Sequence, residues 1–407
     1  MKTRVVQKTG RLGDLFKTAA GGTPSTTKRE YYEGGTIPWL NSGEVRQGVV
    51  CSAKTFITEL GLQNSNAKIF PKDTVLVALY GATAAQVGIL AIEAATNQAV
   101  FGIYPNSSFL PKFIFYFLLS CHEELSNQAV GSAQPNLSGL KIKDLRVPLV
   151  SLAEQQRIVA VLDEAFAGLA TAQANAEKNL QNARELFDSY LEAVFTQHEK
   201  GWAERRLGDE SLVEIIDGDR GANYPKTTDF NKDGHCLFLN TKNVRPDGFN
   251  FESTVFITAE KDGQLRNGKL KRDDVVLTTR GTIGNIGLYS EDVPYEHIRI
   301  NSGMLIFRPN NLAMLPDYLF ELFRSNIVKD QIRKQTTGAA QPQLPIKTLV
   351  NFVIPVPTSL DDQVSMVKKL RAFEPETQRL QKIYEQKLVA LAELKKSLLH
   401  QAFSGEL

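Results

Sequence analysis

The stretch GSAQPNLSGLKIKDLRVPLVSLAEQQRIV at residues 131–159 returns in worn form as GAAQPQLPIKTLVNFVIPVPTSLDDQVSMV at residues 338–367. Each copy opens with a Gln-Pro turn (Gln134-Pro135 in the first), runs through a short apolar segment and enters a helical pattern. Other pairs emerge on either side. RLGD at Arg11 returns at Arg206, LNSGEVR from Leu40 answers LNTKNVR from Leu239, and FIT recurs at Phe56 and Phe256. Gly81 answers Gly281, and Tyr104-Pro105 answers Arg308-Pro309. The separation between copies grows slowly along the chain, as small loop insertions would produce.

The duplication divides the 407 residues into globular parts at 1–150 and 201–357 and helical parts at 151–200 and 358–407. A chain of this length exceeds one ordinary core and suits more than one domain. The globular parts read as mixed α and β. DTVLVAL (Asp73 to Leu79) and DDVVLTT (Asp273 to Thr279) lie between Gly, Pro and Asn punctuation, which predicts strands with tight loops. Leu110-Pro111 and Leu315-Pro316 each open an apolar segment, where proline suits the first turn of a helix.

In the first helical part, alternate steps of four and three give Ile158, Leu162, Ala165, Leu169, Ala172, Ala176, Asn179, Ala183, Leu186, Tyr190 and Ala193. The matching positions of the second part are Met366, Leu370, Phe373, Thr377, Leu380, Tyr384, Lys387, Leu391, Leu394, Leu398 and Gln401. This is the seam of a coiled coil, and the economical partner of each helix is its copy. Asn179 and Lys387 fall at one equivalent seam position; either they fix register as buried polar residues or their side chains reach solvent. Gly168 and Pro375 predict a kink or short break in each helix. A helix of about 43 residues at ~1.5 Å each spans roughly 65 Å. Antiparallel pairing would bring the C-terminus back beside the N-terminus. The expected fold is therefore α+β: two similar mixed α/β heads separated by two long helices in an antiparallel coiled coil, with a pseudo-twofold internal repeat.

QPNLSGLKIKDL leading into PLVSLAEQQRIVAVLD, together with the terminal LLHQAFSGEL, resembles the specificity subunit of type I restriction-modification enzymes, over essentially the whole chain. The resemblance implies two target-recognition domains, each reading one half of a split site in double-stranded DNA. It also implies helices that set the half-site spacing and dock two methyltransferase subunits, with restriction subunits added to these. The complex would methylate adenine at N6. S-adenosylmethionine would belong to the methyltransferase partner, and no cofactor is expected in this chain.

The residues support a non-catalytic reading. A base-flipping methyltransferase needs a cofactor loop and an Asn or Asp followed by Pro-Pro-aromatic. GTIGNIG (Gly281, Gly284, Gly287) has the wrong spacing, and QPNL and QPQL lack the second proline and the aromatic. Pro246-Asp247 lacks the acidic-x-Lys that completes a common nuclease core, and Ser138 to Lys141 is a four-residue match of high chance frequency. The five histidines, with the His235-Cys236 neighbours, show no metal-ligand spacing, and Cys51, Cys121 and Cys236 read as reduced, mostly buried thiols. Two alternatives stand beside the specificity subunit: a self-contained methyltransferase or nuclease, and a coiled-coil adaptor between proteins.

A net charge of +2 permits nucleic-acid binding without demanding it. The N-terminus has cations with no apolar stretch behind them, and the longest apolar run, Phe113 to Leu119, is short of the ~18 residues a membrane span needs. A cytoplasmic protein without a membrane partner is expected. Arg and Lys suit guanine, Asn and Gln suit adenine, and hydroxyls and cations suit phosphate. Three loop groups per head carry such residues. The first head has Lys28, Arg29 and Tyr31; Asn41, Ser42, Glu44 and Arg46; and Tyr80 with Thr83. The second has Arg220, Asn223, Tyr224 and Lys226; Asn240, Lys242, Asn243 and Arg245; and Thr279, Arg280 and Thr282. The groups match in place and differ in chemistry, as two heads reading different sequences require. Asp217 and Asp219 are expected to orient Arg220.

Overall fold

The computed structural model describes residues 8–128, 136–196, 201–336 and 343–407, so the expected Gln134-Pro135 turn lies outside the described residues. The chain forms two compact units, Met1–Glu177 with Gln386–Leu407, and Lys178–Glu385. Each unit holds one head and part of both long helices, so the division falls inside the helices.

In the first unit, a five-stranded sheet runs in the order Thr18–Ala20, Val100–Ile103, Val75–Ala78, Val87–Leu90, Val49–Val50. A four-stranded sheet runs Thr55–Ile57, Ile37–Leu40, Ala94–Thr96, Ile69–Phe70. The strand predicted from DTVLVAL lies inside the larger sheet with both faces covered. Val75 and Val77 enter the core that holds Phe113 and Phe117 of helix Pro111–Ser120, and Leu76 and Ala78 enter a second core with Leu40 and Phe70. Side chains alternate across a strand, so a strand buried on both faces needs an unbroken apolar run.

The second head repeats this plan. Its larger sheet runs Val213–Asp217, Met304–Pro309, Val275–Thr278, Ile286–Leu288, and its smaller one runs Phe256–Ile257, Cys236–Leu239, Ile298–Ile300. Val275 and Leu277 pack toward helix Pro316–Arg324, and Val276 packs into the opposite core. Asp73 and Asp273 both enter these strands at positive φ, 69° and 75°. Their amides donate to Leu90 O at 2.8 Å and Tyr289 O at 3.0 Å.

The helices Leu152–Thr196 and Leu360–Ser404 are each 45 residues long, about 67 Å at ~1.5 Å per residue. Near the start of each, a buried glutamine locks the helix to its head. Gln155 Oε1 accepts from Leu110 N at 2.8 Å and its Nε2 donates to Ser108 O at 3.0 Å. Gln363 Oε1 accepts from Leu315 N at 2.8 Å and its Nε2 donates to Ala313 O at 3.0 Å. The backbone groups at the start of helices Pro111–Ser120 and Pro316–Arg324 thus find partners on the long helices. Leaving one buried and unpaired costs about 1 to 3 kcal/mol.

Pairing of the long helices is antiparallel in each unit. In the first, Ile158 and Leu162 share a core with Leu399 and Ala402, and Lys395 lies 5.2 Å from the Phe166 ring. In the second, the Tyr190 and Phe373 rings are 4.4 Å apart and Arg184 meets Glu385 at 3.2 Å. The regular seam needs three corrections. Leu186 is 41% exposed, and the inward positions beyond Ala183 are Phe187, Leu191 and Phe195, because the helix packs there against the core of the second head as well. Leu380 and Leu394 are exposed, and Lys387 is exposed with Asn179 half-buried. Neither Asn179 nor Lys387 is therefore a buried register residue. The helices also continue through Gly168 and Pro375, so of the expected kink or short break the break is absent; Pro375 is exposed and Thr377 Oγ1 donates to Glu374 O at 2.8 Å, supporting the adjacent turn. Among the described residues no helix is long and apolar enough to cross a membrane.

Candidate nucleic-acid interface

Asn301, Ser302 and Gly303, which the sequence reading passed over, gather the three loop groups of the second head. Thr279 N and Arg280 N both donate to Gly303 O, at 2.7 and 3.2 Å. Arg220 Nη2 donates to Ser302 O at 3.4 Å, and Ser302 N donates to Tyr224 Oη at 3.4 Å. A Cβ on Gly303 would lie 3.5 Å from Arg280 Cβ and 3.9 Å from Thr241 Cγ2. Asn301 closes the turn by accepting from Gly303 N at 2.9 Å.

The first head uses Asn97, Gln98 and Ala99 in the same place. Leu79 N donates to Ala99 O at 2.8 Å, Asn97 N donates to Leu40 O at 2.9 Å, and Thr23 Oγ1 donates to Gln98 Oε1. Gly21 and Gly218 permit the close approach of the first loop. A Cβ on Gly21 would come within 2.3 Å of Asn97 O, and one on Gly218 within 2.4 Å of Asn301 O. The signal in the sequence was the Asn two residues before a small residue in both copies, since Asn side chains bond to backbone two residues on.

Burial removes four proposed DNA contacts. Tyr31 is 5% exposed, and its ring is core while its hydroxyl accepts from Lys28 Nζ at 3.0 Å. Glu44 is buried and binds backbone amides at Asn41 (3.0 Å) and Lys54 (2.9 Å). Asn243 does the same work in the second head, accepting from Asn240 N at 3.0 Å and donating to Ser253 O at 2.8 Å. Thr279 is also buried. Asn41 and Asn240 accept from the amides of Gly43 and Lys242, at 2.9 and 2.8 Å, so their side chains cap the turns. Thr83 Oγ1 turns back onto Tyr80 O at 3.1 Å.

Lys28, Arg29, Arg46 and Tyr80 remain exposed on the first head, and Arg220, Asn223, Lys226, Lys242, Arg245, Arg280 and Thr282 on the second. Ser42 and Tyr224 are partly exposed. Asp217 orients Arg220 at 3.1 Å as expected. Asp219 has a different job: it accepts from the amides of Gly221 (2.7 Å), Arg266 (2.7 Å) and Asn267 (3.4 Å). Burial alone would raise its pKa, but these amides outweigh it and hold the carboxyl below its ordinary value.

The cysteines offer no reactive thiolate in the cores. Burial pushes Cys121 up to about 11 and Cys236 up to about 12. Cys51 departs from expectation in being exposed. Among the described residues no three His, Cys, Asp or Glu side chains converge on a metal position. What the surface offers is cations, amides and hydroxyls on turns braced by two sheets, a chemistry suited to phosphates and base edges.

A family described as the type I restriction modification DNA specificity domain matches residues 6–180 and again residues 199–387. The chain belongs to this family. The family matches the chain twice, in keeping with its internal repeat. The chain is 25% identical to the type I restriction enzyme MjaIX specificity subunit of Methanocaldococcus jannaschii, covering 98% of this chain and 92% of that one. It is 24% identical to the EcoBI specificity subunit of Escherichia coli, covering 96% and 81%. Its match to the E. coli EcoR124I/EcoR124II specificity subunit, at 28% identity, spans only 38% of this chain and 39% of that protein. The fold is that of two solved structures. One, from work on complex assembly and conformational transition of the type I R-M system, superposes with a TM-score of 0.79 at 18% identity over 100% of both chains. The other, the HsdS subunit from Thermoanaerobacter tengcongensis, gives 0.62 at 17% identity, over 98% and 97%.

Proposed function

We propose that this chain is the non-catalytic, DNA-reading subunit of a type I restriction-modification enzyme. Each specificity domain reads one half of a bipartite site in double-stranded DNA. The paired helices set the spacing of the half-sites and dock two methyltransferase subunits, which hold S-adenosylmethionine and methylate adenine at N6. Restriction subunits join this core for cleavage. One observation carries the reading: two copies of one scaffold present matched loops whose exposed or partly exposed side chains differ, such as Tyr80 against Arg280 and Ser42 against Lys242. A repeated scaffold with changed contacts suits two different half-sites and one repeated partner.

The test is methylation of DNA by the chain with and without its co-purified methyltransferase subunits, together with the salt dependence of DNA binding. Activity only in the complex, and affinity falling steeply with salt, are expected. Methylation by the chain alone, or salt-independent binding, contradicts the proposal.

A further inference from the structure

Asn136 and Gln343 stand in the duplicated passage itself, outside the three loop groups. Gln343 forms an isolated antiparallel bridge with Arg280, and Asn136 forms the matching bridge with Tyr80. The next residue anchors each segment: Leu344 N donates to Thr279 O at 3.0 Å, and Leu137 N to Leu79 O at 2.8 Å. Both leucines are buried. Side chains alternate across extended backbone, so an inward Leu344 turns Gln343 outward, and Gln343 and Asn136 are both exposed.

In the second head a cleft of about 260 Å³ is lined by Asp217, Arg220, Thr279, Arg280 and Gln343. Arg220 is already engaged by Asp217. Among the described residues the side chains of Arg280 and Gln343 have no hydrogen-bond partner. The free guanidinium matches O6 and N7 of guanine, and the free carboxamide matches N6 and N7 of adenine. Paired residues of an antiparallel bridge hold their Cβ atoms about 4.5–5.5 Å apart, a gap that two long side chains can narrow to the ~3.4 Å rise of one base step. A neutral carboxamide adds little to phosphate attraction, so base readout is the use its chemistry favours.

We propose that Gln343 is a base-reading residue of the second specificity domain, selecting adenine at the base pair next to the one Arg280 contacts, and that Asn136 is its counterpart beside Tyr80. This rests on the chain being a DNA-specificity subunit. The test uses the chain in complex with its methyltransferase subunits on DNA with randomised half-sites, followed by sequencing of the methylated products. Gln343→Ala should lower discrimination at one base pair of one half-site roughly tenfold and leave the other positions unchanged. Gln343→Glu should move preference there from adenine toward cytosine, since a carboxylate accepts from cytosine N4. Asn136→Ala should act on the other half-site alone. A uniform loss on all sequences, or unchanged choice in every variant, overturns the proposal. If the wild-type complex shows no sequence preference, the specificity-subunit reading itself falls; wild-type preference with indifferent Gln343 variants removes this inference alone.

Discussion

Lys112 of the first head meets Asp163 on the first long helix at 2.6 Å, and at the matching place in the second head Asp317 meets Arg371 on the second long helix. The charges are exchanged. One turn further along, Tyr116 packs edge-on against Phe166 with ring centroids 5.4 Å apart. Its counterpart Glu321 instead shares Arg324 with Glu374, at 3.2 and 2.6 Å. The glutamine lock, Gln155 or Gln363, is common to both joints. Duplication thus preserved the hydrogen bonds that fix each head to its helix and let the surrounding contacts diverge in pairs. A head set on the other helix start would place Lys112 against Arg371, and Asp317 against Asp163. The joints are thus matched to their own partners, an effect of like-charge repulsion added to a shared frame.

The widest difference between the joints is the buried charge cluster. Arg324→Ala leaves Glu321 and Glu374 together without their cation, and loss of one partner from a buried pair costs about 3 to 5 kcal/mol. Leu119→Ala, the matching change in the first head, should cost much less, because Leu119 is half-buried and carries no charge partner. Chemical unfolding of both variants measures this; equal losses would remove the distinction.

The shared lock should give the opposite pattern. Gln155→Leu and Gln363→Leu each orphan backbone groups at the start of a helix, at about 1 to 3 kcal/mol. Losses of similar size in the two heads are expected. A loss confined to one head would show that the lock is not common machinery.

Acidity separates the joints again. Burial pushes Glu321 up to about 7, Arg324 opposes this and Glu374 adds to it. A carboxyl whose folded pKa lies above its unfolded value favours the folded state most at low pH. Stability of the second unit should therefore fall as pH rises from about 4.5 to about 7. The difference between wild type and Glu321→Gln unfolding, followed against pH, should carry that slope; a difference curve flat through this window contradicts it. The smallest effect belongs to the exchanged pairs, which are partly exposed and worth about 0.2 to 1 kcal/mol. Asp317→Lys should destabilise slightly and Asp317→Lys with Arg371→Asp should recover the loss. Failure of the double variant to recover would mean that packing, not charge, matches the joint.

The fold was legible because three patterns in the sequence agree: a repeat along the whole chain, apolar runs at the centres of sheets, and a seam in both helices. The seam failed at Leu186, where a second surface, the head core, claims Phe187 instead. The interface was legible as places and less so as residues. Glu44 and Asn243 have the polar groups of a base reader and spend them on backbone amides, since turn capping and base recognition call for the same side chains. Asn97–Ala99 and Asn301–Gly303 escaped notice because much of their work is done by backbone groups. Gln155 and Gln363 stood in the opening stretch and read as ordinary helix starts, though burial makes them the locks of the two joints.

Separate reading of the two half-sites by the two heads is the core of the proposed function. It is tested most directly by the methylation sites chosen from a randomised bipartite library by complexes of wild type and Arg280→Ala. Relaxed choice at one position of one half-site, worth about 1 to 3 kcal/mol, is expected, with the other half-site unchanged. Relaxation in both halves, or an equal loss on every sequence, would contradict it.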